Sequence, residues 1–238
     1  MAIKKHDFVE IEYTGKLKDD EFVFDTTDEA LAKEAGIDSP NEEYGPIIIC
    51  IGENQVLEGI DKNLLGKEPG EYKFDLAPEE AFGKKDGKLI RLIPTRKFTK
   101  ENIRPMPGMQ VEVDGARGIV RTVTGGRTLV DFNHPLSGKE LEYDVKVNRI
   151  VTDKQEQAEA YLKITLRIKD KEVKLADDTA EITTKIDLPD EVKERLSDKM
   201  KNIFKFKDVK FVVKTDKPED KPKKTGKTEN PEKNEVKL

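Results

Sequence analysis

The sequence predicts an α+β fold in three units: a small antiparallel sheet wrapped on one short helix, a small all-β domain inserted into it, and a C-terminal αββαβ domain. Three observations predict it. Residues 7–93 alternate short period-two strands with a single helical stripe. Residues 97–133 hold three short strands punctuated by Asp114-Gly115 and Gly125-Gly126, after which a long alternating strand starts at Leu141. Residues 153–215 carry two amphipathic helices and three strands in αββαβ order.

Residues 7–15 place Val9, Ile11 and Tyr13 on one face and Glu10 and Glu12 on the other, as a half-buried strand requires. A turn at Lys18-Asp19-Asp20 leads to the short strand Phe22-Val23-Phe24, closed by Asp25 and two threonines. A charged insertion at 28–45 includes a helix, Glu29–Ala35, stopped by Gly36; Pro46 then opens a buried strand, Ile47–Ile51. The turn Gly52-Glu53-Asn54 enters a helix with Val56, Leu57, Ile60 and Leu64 on its buried face and a stop at Gly66. Glu71–Leu76 and Lys88–Ile93 are read as further strands of the same sheet, separated by the loop 77–83.

In the insertion, Met109–Val113, Gly118–Val123 and Thr128–Phe132 are the strands. Leu141–Ile150 aligns Leu141, Tyr143, Val145 and Val147 and is regular enough to return to the first sheet. The first domain is therefore discontinuous, 1–96 plus 134–152, around an insert at 97–133. In the last domain, Thr152 and Gln155 form a T-x-x-Q capping box for a helix with Ala158, Tyr161, Leu162 and Thr165 on one face. Strands follow at 171–175 and 180–186, then a helix opened by Pro189-Asp190-Glu191 with the stripe Val192, Leu196, Met200 and Ile203. Val209–Val213 closes the unit, and the Lys/Glu/Pro-rich tail 216–238 is expected to be disordered.

Composition narrows the function. Hydrophobic residues make up 35% and charged residues 39% of the 238, enough apolar side chains for several small cores rather than one large one. No apolar run approaches the ~18 residues of a membrane span, and the N-terminus runs into charge without an apolar signal region. The lone Cys50 excludes an internal disulfide and suits a reducing compartment, so a cytoplasmic protein is expected. The 44 basic and 49 acidic residues are interleaved, net −5, which argues against nucleic acid as a partner. Two histidines and one cysteine cannot build a zinc cluster, and Cys50 lies in the most apolar stretch, where a thiol is inert. With no phosphate-cradling glycine motif either, the chemistry is expected to proceed without metal or cofactor.

Five motifs, in order, carry a resemblance: Val9-Glu10-Ile11-Glu12-Tyr13-Thr14-Gly15; Phe24-Asp25; Gly52-Glu53-Asn54-Gln55-Val56-Leu57-Glu58-Gly59; Ala77-Pro78-Glu79-Glu80-Ala81-Phe82-Gly83; and Tyr143-Asp144-Val145. Together they resemble the FKBP-type peptidyl-prolyl isomerases. The segment Asp131-Phe132-Asn133-His134-Pro135-Leu136-Ser137-Gly138 looks like the end of the insert-in-flap domain of SlyD-like members, and the overall plan is similar to the long archaeal forms. The resemblance implies catalytic roles for Tyr13, Phe24, Asp25, Phe82 and Tyr143, and substrate binding by Ile47, Val56, Leu57, Ile60, Ala81 and Leu136, with Ile60 as the floor. Three positions depart from the family: Ile60 is often Trp, Ile47 is often aromatic, and Phe82 is usually Tyr. The tail has no histidine, so the metal binding of SlyD-like tails is not carried over.

An apolar pocket without a general base suits this reaction. Amide resonance imposes a barrier of about 18–20 kcal/mol, and a twisted amide, being less dipolar than the planar one, is favoured where water is excluded. Asp25 is expected to orient the nearby backbone or the Tyr13 hydroxyl rather than to transfer a proton. The insert, apolar for its size (Met106, Met109, Val111, Val113, Ile119, Val120, Val123 and Leu129), is expected to hold unfolded chains. The alternative is a holdase on the same scaffold with little turnover. Unfolded or proline-containing polypeptides are the expected partners, together with a homodimer through the C-terminal domain, which is small for independent stability.

Overall fold

The computed structural model describes residues 1–214 apart from Arg167, Lys169, Asp170 and Asp177; the expected disordered tail lies outside the described residues. The first sheet is built around β1 (Phe8–Leu17) and β9 (Leu141–Val151), antiparallel from Phe8 opposite Val151 to Leu17 opposite Leu141. The other edge of β1 is taken in succession by β3 (Ile47–Cys50) and β2 (Val23–Thr26), and β4 (Gly70–Leu76) flanks β9. Helix α2 (Glu58–Leu64) covers one face, where Ile60 and Leu64 pack with Val9, Ile11, Ile49, Leu141, Tyr143, Val145 and Val147. The alternation read from the sequence is the alternation observed. The charged insertion forms α1 (Glu29–Ala35), capped by the Asp28 carboxylate and closed by Gly36 at φ 69°.

Between Glu10 and Ile11 the register of β1 against β9 shifts, leaving an extra residue on β9. Such a bulge reverses side-chain parity, so Val151 joins Phe8 and Cys50 on the opposite face of the sheet. That face is covered by α4 (Lys154–Leu166) and α5 (Asp190–Phe204), through Ala158, Tyr161, Leu162, Leu196, Met200 and Phe204. The ring of Phe8 lies 5.3 Å from that of Phe204 and 6.4 Å from that of Tyr161. The homodimer expectation rested on the small size of the C-terminal unit, and the unit shares its core with the first sheet. Beyond the helices lies a three-stranded sheet in which β11 (Thr179–Thr184) pairs antiparallel with β10 (Lys171–Ala176) and parallel with β12 (Asp208–Val213).

Two details of this unit differ from expectation. Asp153, not Thr152, caps α4, accepting the Glu156 N–H at 2.8 Å, while the Gln155 amide reaches instead to the Val173 carbonyl. A carboxylate is the stronger acceptor for a helix N-terminus. Val192 stays 39% exposed, because the stripe facing the core is Leu196, Met200 and Phe204.

The remaining sheet is four-stranded in the order β5-β8-β7-β6, from β5 (Ile90–Pro94), β6 (Gln110–Val113), β7 (Ala116–Thr124) and β8 (Arg127–Asp131). A short helix not foreseen in the sequence, α3 (Thr95–Lys100), places Phe98 over Ile93, Val111, Val113, Val120 and Val130. The strand expected at Lys88–Ile93 thus belongs here rather than to the first sheet. Its residues encode alternation but not a partner, and the partner is set when Phe132 N–H donates to the Leu89 carbonyl at the mouth of the insertion.

Candidate active site

The inward positions of β1 and β9 bring Tyr13 and Tyr143 together, ring centroids 5.9 Å apart. Phe24, from β2, meets Tyr143 edge-on at 5.8 Å, and Phe82, from the loop after β4, meets Phe24 edge-on at 6.2 Å. Ile47, Val56, Leu57 and Ala81 are half-buried in the same cluster, with Ile60 fully buried among them. Val56 and Leu57 precede α2 instead of lying on its buried face: the helix starts only at Glu58. They form a strap leading into it. Leu136 stands outside this apolar cluster, tied to it through its own segment: the Ser137 hydroxyl donates to the Phe82 carbonyl at 3.0 Å.

Two glycines make the cluster possible. A Cβ on Gly15 would lie 2.7 Å from Tyr143 Cζ and 2.9 Å from Phe24 Cζ, so only glycine lets both rings close over β1. On Gly59 it would lie 2.5 Å from Leu76 Cδ2 and 3.0 Å from the Glu80 carbonyl oxygen, which fixes how near α2 sits to the Phe82 loop. Gly15 was visible as a glycine inside a strand pattern, the signal of a close approach.

A residue absent from the predicted site joins it. His134, known from the sequence only as part of the segment that ends the insertion, stacks flat on Phe82, centroids 4.5 Å apart and planes within 6°. Its Nδ1 accepts the Leu136 N–H at 3.3 Å. His134 thus extends the run of rings to the point where the chain returns from the second sheet.

The Tyr13 hydroxyl donates to Asp25 Oδ1 at 3.4 Å. Burial pushes Asp25 above the usual carboxylate range, and the Tyr13 hydrogen bond pulls the other way. Burial, then the adjacent Asp25 charge, pushes the phenols of Tyr13 and Tyr143 well above their ordinary value, so both remain protonated. The surface is apolar, ring-lined and equipped with donors. Cys50 is fully buried, and burial first, then the Glu53 and Asp61 charges, pushes its thiol up to about 12; it is inert.

An open cavity of about 810 Å³ borders β1, β4 and β9 and shares Tyr13 with the ring cluster. Its lining includes Glu12, Thr14, Lys73, Asp144 and Lys146, and alternating charge of this kind offers nothing to a twisted amide.

Residues 91–136 match the family model described as FKBP26, IF domain. The chain is 37% identical over 149 residues to the short-type peptidyl-prolyl cis-trans isomerase of Methanocaldococcus jannaschii, covering 62% of this chain and 94% of that one. It belongs to the FKBP-type peptidyl-prolyl cis-trans isomerases. The isomerase is also 31% identical over 110 residues to the FKBP-type 16 kDa peptidyl-prolyl cis-trans isomerase of Escherichia coli, covering 44% and 74% of the two chains. To the SlyD isomerase of Helicobacter pylori it is 32% identical over 108 residues, covering 43% and 57%. Among the described residues, no helix of the isomerase is long and apolar enough to cross a membrane.

Proposed function

We propose that the isomerase turns X–Pro bonds on the ring-lined surface formed by Tyr13, Phe24, Phe82 and Tyr143 above Ile60. The observation that carries this is the continuous run of rings from Tyr13 to Phe82, held in close contact by Gly15 and carrying one carboxylate, Asp25. Such a surface excludes water from the amide and favours the less dipolar twisted state, so no proton transfer is needed. Asp25 orients the Tyr13 hydroxyl. The Phe82 ring supplies contact area without the hydroxyl that a tyrosine would offer to the substrate carbonyl. Isomerisation of a proline tetrapeptide tests this: wild type should be active, and Phe24→Ala and Tyr13→Ala should each be impaired. A wild type with no turnover that still suppresses aggregation of an unfolded client would instead be a holdase.

The second sheet is the domain that holds the unfolded chain. The strand registers put Ile90, Leu92, Leu129 and Ile119 on the face opposite its core, and Leu92 is 53% exposed. Replacing residues 90–131 by a short linker should leave tetrapeptide turnover intact and lower turnover on an unfolded protein; equal turnover on both substrates removes the holding role. A buried, unpaired cysteine suits the cytoplasm as the place of action. A homodimer through the C-terminal domain would use the outer edge of β12, where Val212 and Val213 are exposed, and mass by light scattering decides it.

A further inference from the structure

The strap that presents Val56 and Leu57 hangs from the turn Gly52–Gln55, and that turn is poorly held from within. Gly52 and Asn54 both sit at left-handed φ, 86° and 54°, the second without the freedom of glycine. Inside, Asp61 Oδ2 accepts the Asn54 N–H at 3.2 Å and Gln55 Oε1 accepts the Cys50 N–H at 2.7 Å. The other polar atoms of these two side chains, Asp61 Oδ1 and Gln55 Nε2, are buried without a hydrogen-bond partner. Buried polar atoms are rarely left so, and a turn with such an anchor draws part of its hold from its surroundings.

The surroundings are supplied by the C-terminal domain. Lys199 of α5 donates to Glu53 Oε2 at 2.8 Å, and the Glu53 side chain is only 14% exposed. His6 Nε2 lies 3.6 Å from the other Glu53 oxygen. Cys50, where the turn begins, is buried in the same core as Met200 and Phe204. A cleft of about 360 Å³ between the turn and the end of α5 is lined by His6, Asn54, Lys199, Asn202 and Lys205. The helix itself is anchored by Leu196, Met200 and Phe204, so Lys199 is not what docks it. It reaches past the docking surface to the tip of the turn.

We infer that Lys199 is a positioning residue for the proline pocket: through Glu53 it fixes the turn that sets Val56 and Leu57 against the substrate. This rests on the pocket proposed above, and it assigns the C-terminal domain a part in catalysis through a side chain that is not itself one of the cluster's residues. Glu53 is largely out of water but Lys199 is 43% exposed, so the pair adds little global stability, and its loss should loosen the substrate-binding strap rather than the reacting surface of rings.

The test is steady-state kinetics of the full chain on a proline tetrapeptide, with melting temperature alongside. Lys199→Met, which keeps the apolar stem, should raise KM about three- to ten-fold with kcat little changed and an unaltered melting temperature. Lys199→Arg should restore KM. Glu53→Gln should match Lys199→Met, and the double variant should be no worse than either single one. An unchanged KM in Lys199→Met, with Phe24→Ala impaired, overturns the role of Lys199 alone. A melting temperature that falls with kcat and KM unchanged does so too, leaving a purely structural pair. Undiminished turnover in Phe24→Ala would bring down the pocket itself, and with it this inference.

Discussion

The first and second sheets of this isomerase are both small, antiparallel and twisted around a short helix, yet the first gains a second cover over one end of its outer face. The first has α2 on its inner side, where Tyr143 is 2% exposed, and α4 with α5 over the Phe8, Cys50 and Val151 end of its outer side. The second has only α3, and its far face leaves Leu92 half in water. Burial on the α2 side, with Gly15 letting the rings close, holds them at fixed distances, which a site that discriminates a twisted amide from a planar one requires. Single cover leaves an apolar surface whose contacts with a partner can vary, which suits clients of no fixed sequence. On the function proposed above, the difference in burial divides chemistry from holding.

The sharpest way to break the comparison is to open the first sheet. Tyr143→Ala should cost about 3–5 kcal/mol of stability, as expected for a fully buried aromatic ring, and abolish turnover, while aggregation suppression by the second sheet persists near room temperature. Chemical denaturation and a client light-scattering assay check the two halves. Gly15→Ala should come next, at about 1–3 kcal/mol, because its methyl would collide with Tyr143 and Phe24; kcat/KM should fall at least as steeply as stability.

Acid should separate the sheets by sign. Burial opposes ionisation of Asp131, which is 3% exposed, but the Asn133 side chain and N–H and the Arg121 guanidinium outweigh it and hold the carboxyl well below the usual range. A carboxyl lowered in the folded state stabilises it above its unfolded value of about 4 and loses that contribution as pH falls through the folded value. Asp25 and Asp61 are raised, chiefly by burial, so their contribution to the first sheet improves as pH falls through their folded values toward about 4. Hydrogen exchange below pH 4 should therefore loosen β7 and β8 before β1 and β9; the reverse order would remove Asp131 as the anchor of the second sheet.

Leu92→Asp should leave global stability within about 0.5 kcal/mol and tetrapeptide turnover unchanged, and weaken only the holding of an unfolded client. The smallest effect expected is none: kcat/KM should be flat from pH 8 to 10, because the phenols of Tyr13 and Tyr143 stay protonated well above that range. A fall centred near pH 10 would show that a site tyrosine ionises as freely as in water.

Local periodicity made most elements legible. Leu141, Tyr143, Val145 and Val147 alternate over a strand long enough to declare its return to the first sheet, and Gly36 and Asp28 bound α1 by backbone chemistry that needs no tertiary context. The site was legible as an ordered set of motifs: Tyr13, Phe24, Phe82 and Tyr143 do meet, each neighbour within about 6 Å of the next. What escaped were decisions about partners. Lys88–Ile93 carries the alternation of a strand whichever sheet receives it. Val56 and Leu57 continue the helical spacing of Ile60 and Leu64, but the helix starts only at Glu58, after a turn whose Asn54 N–H donates to Asp61. No spacing in the chain announces that His134 will lie on Phe82, since 52 residues and an entire sheet separate them.

By itself, then, the sequence determined which residues alternate, which turn and which cap, because those follow from backbone geometry within a few residues. Tertiary structure alone decided which strand pairs with which, that α4 and α5 seal the Phe8, Cys50 and Val151 end of the first sheet's outer face, and that Lys199 reaches Glu53 across 146 positions. Such contacts depend on the packing of whole elements, and a bulge of one residue on β9 is enough to redirect Val151 from one core to the other.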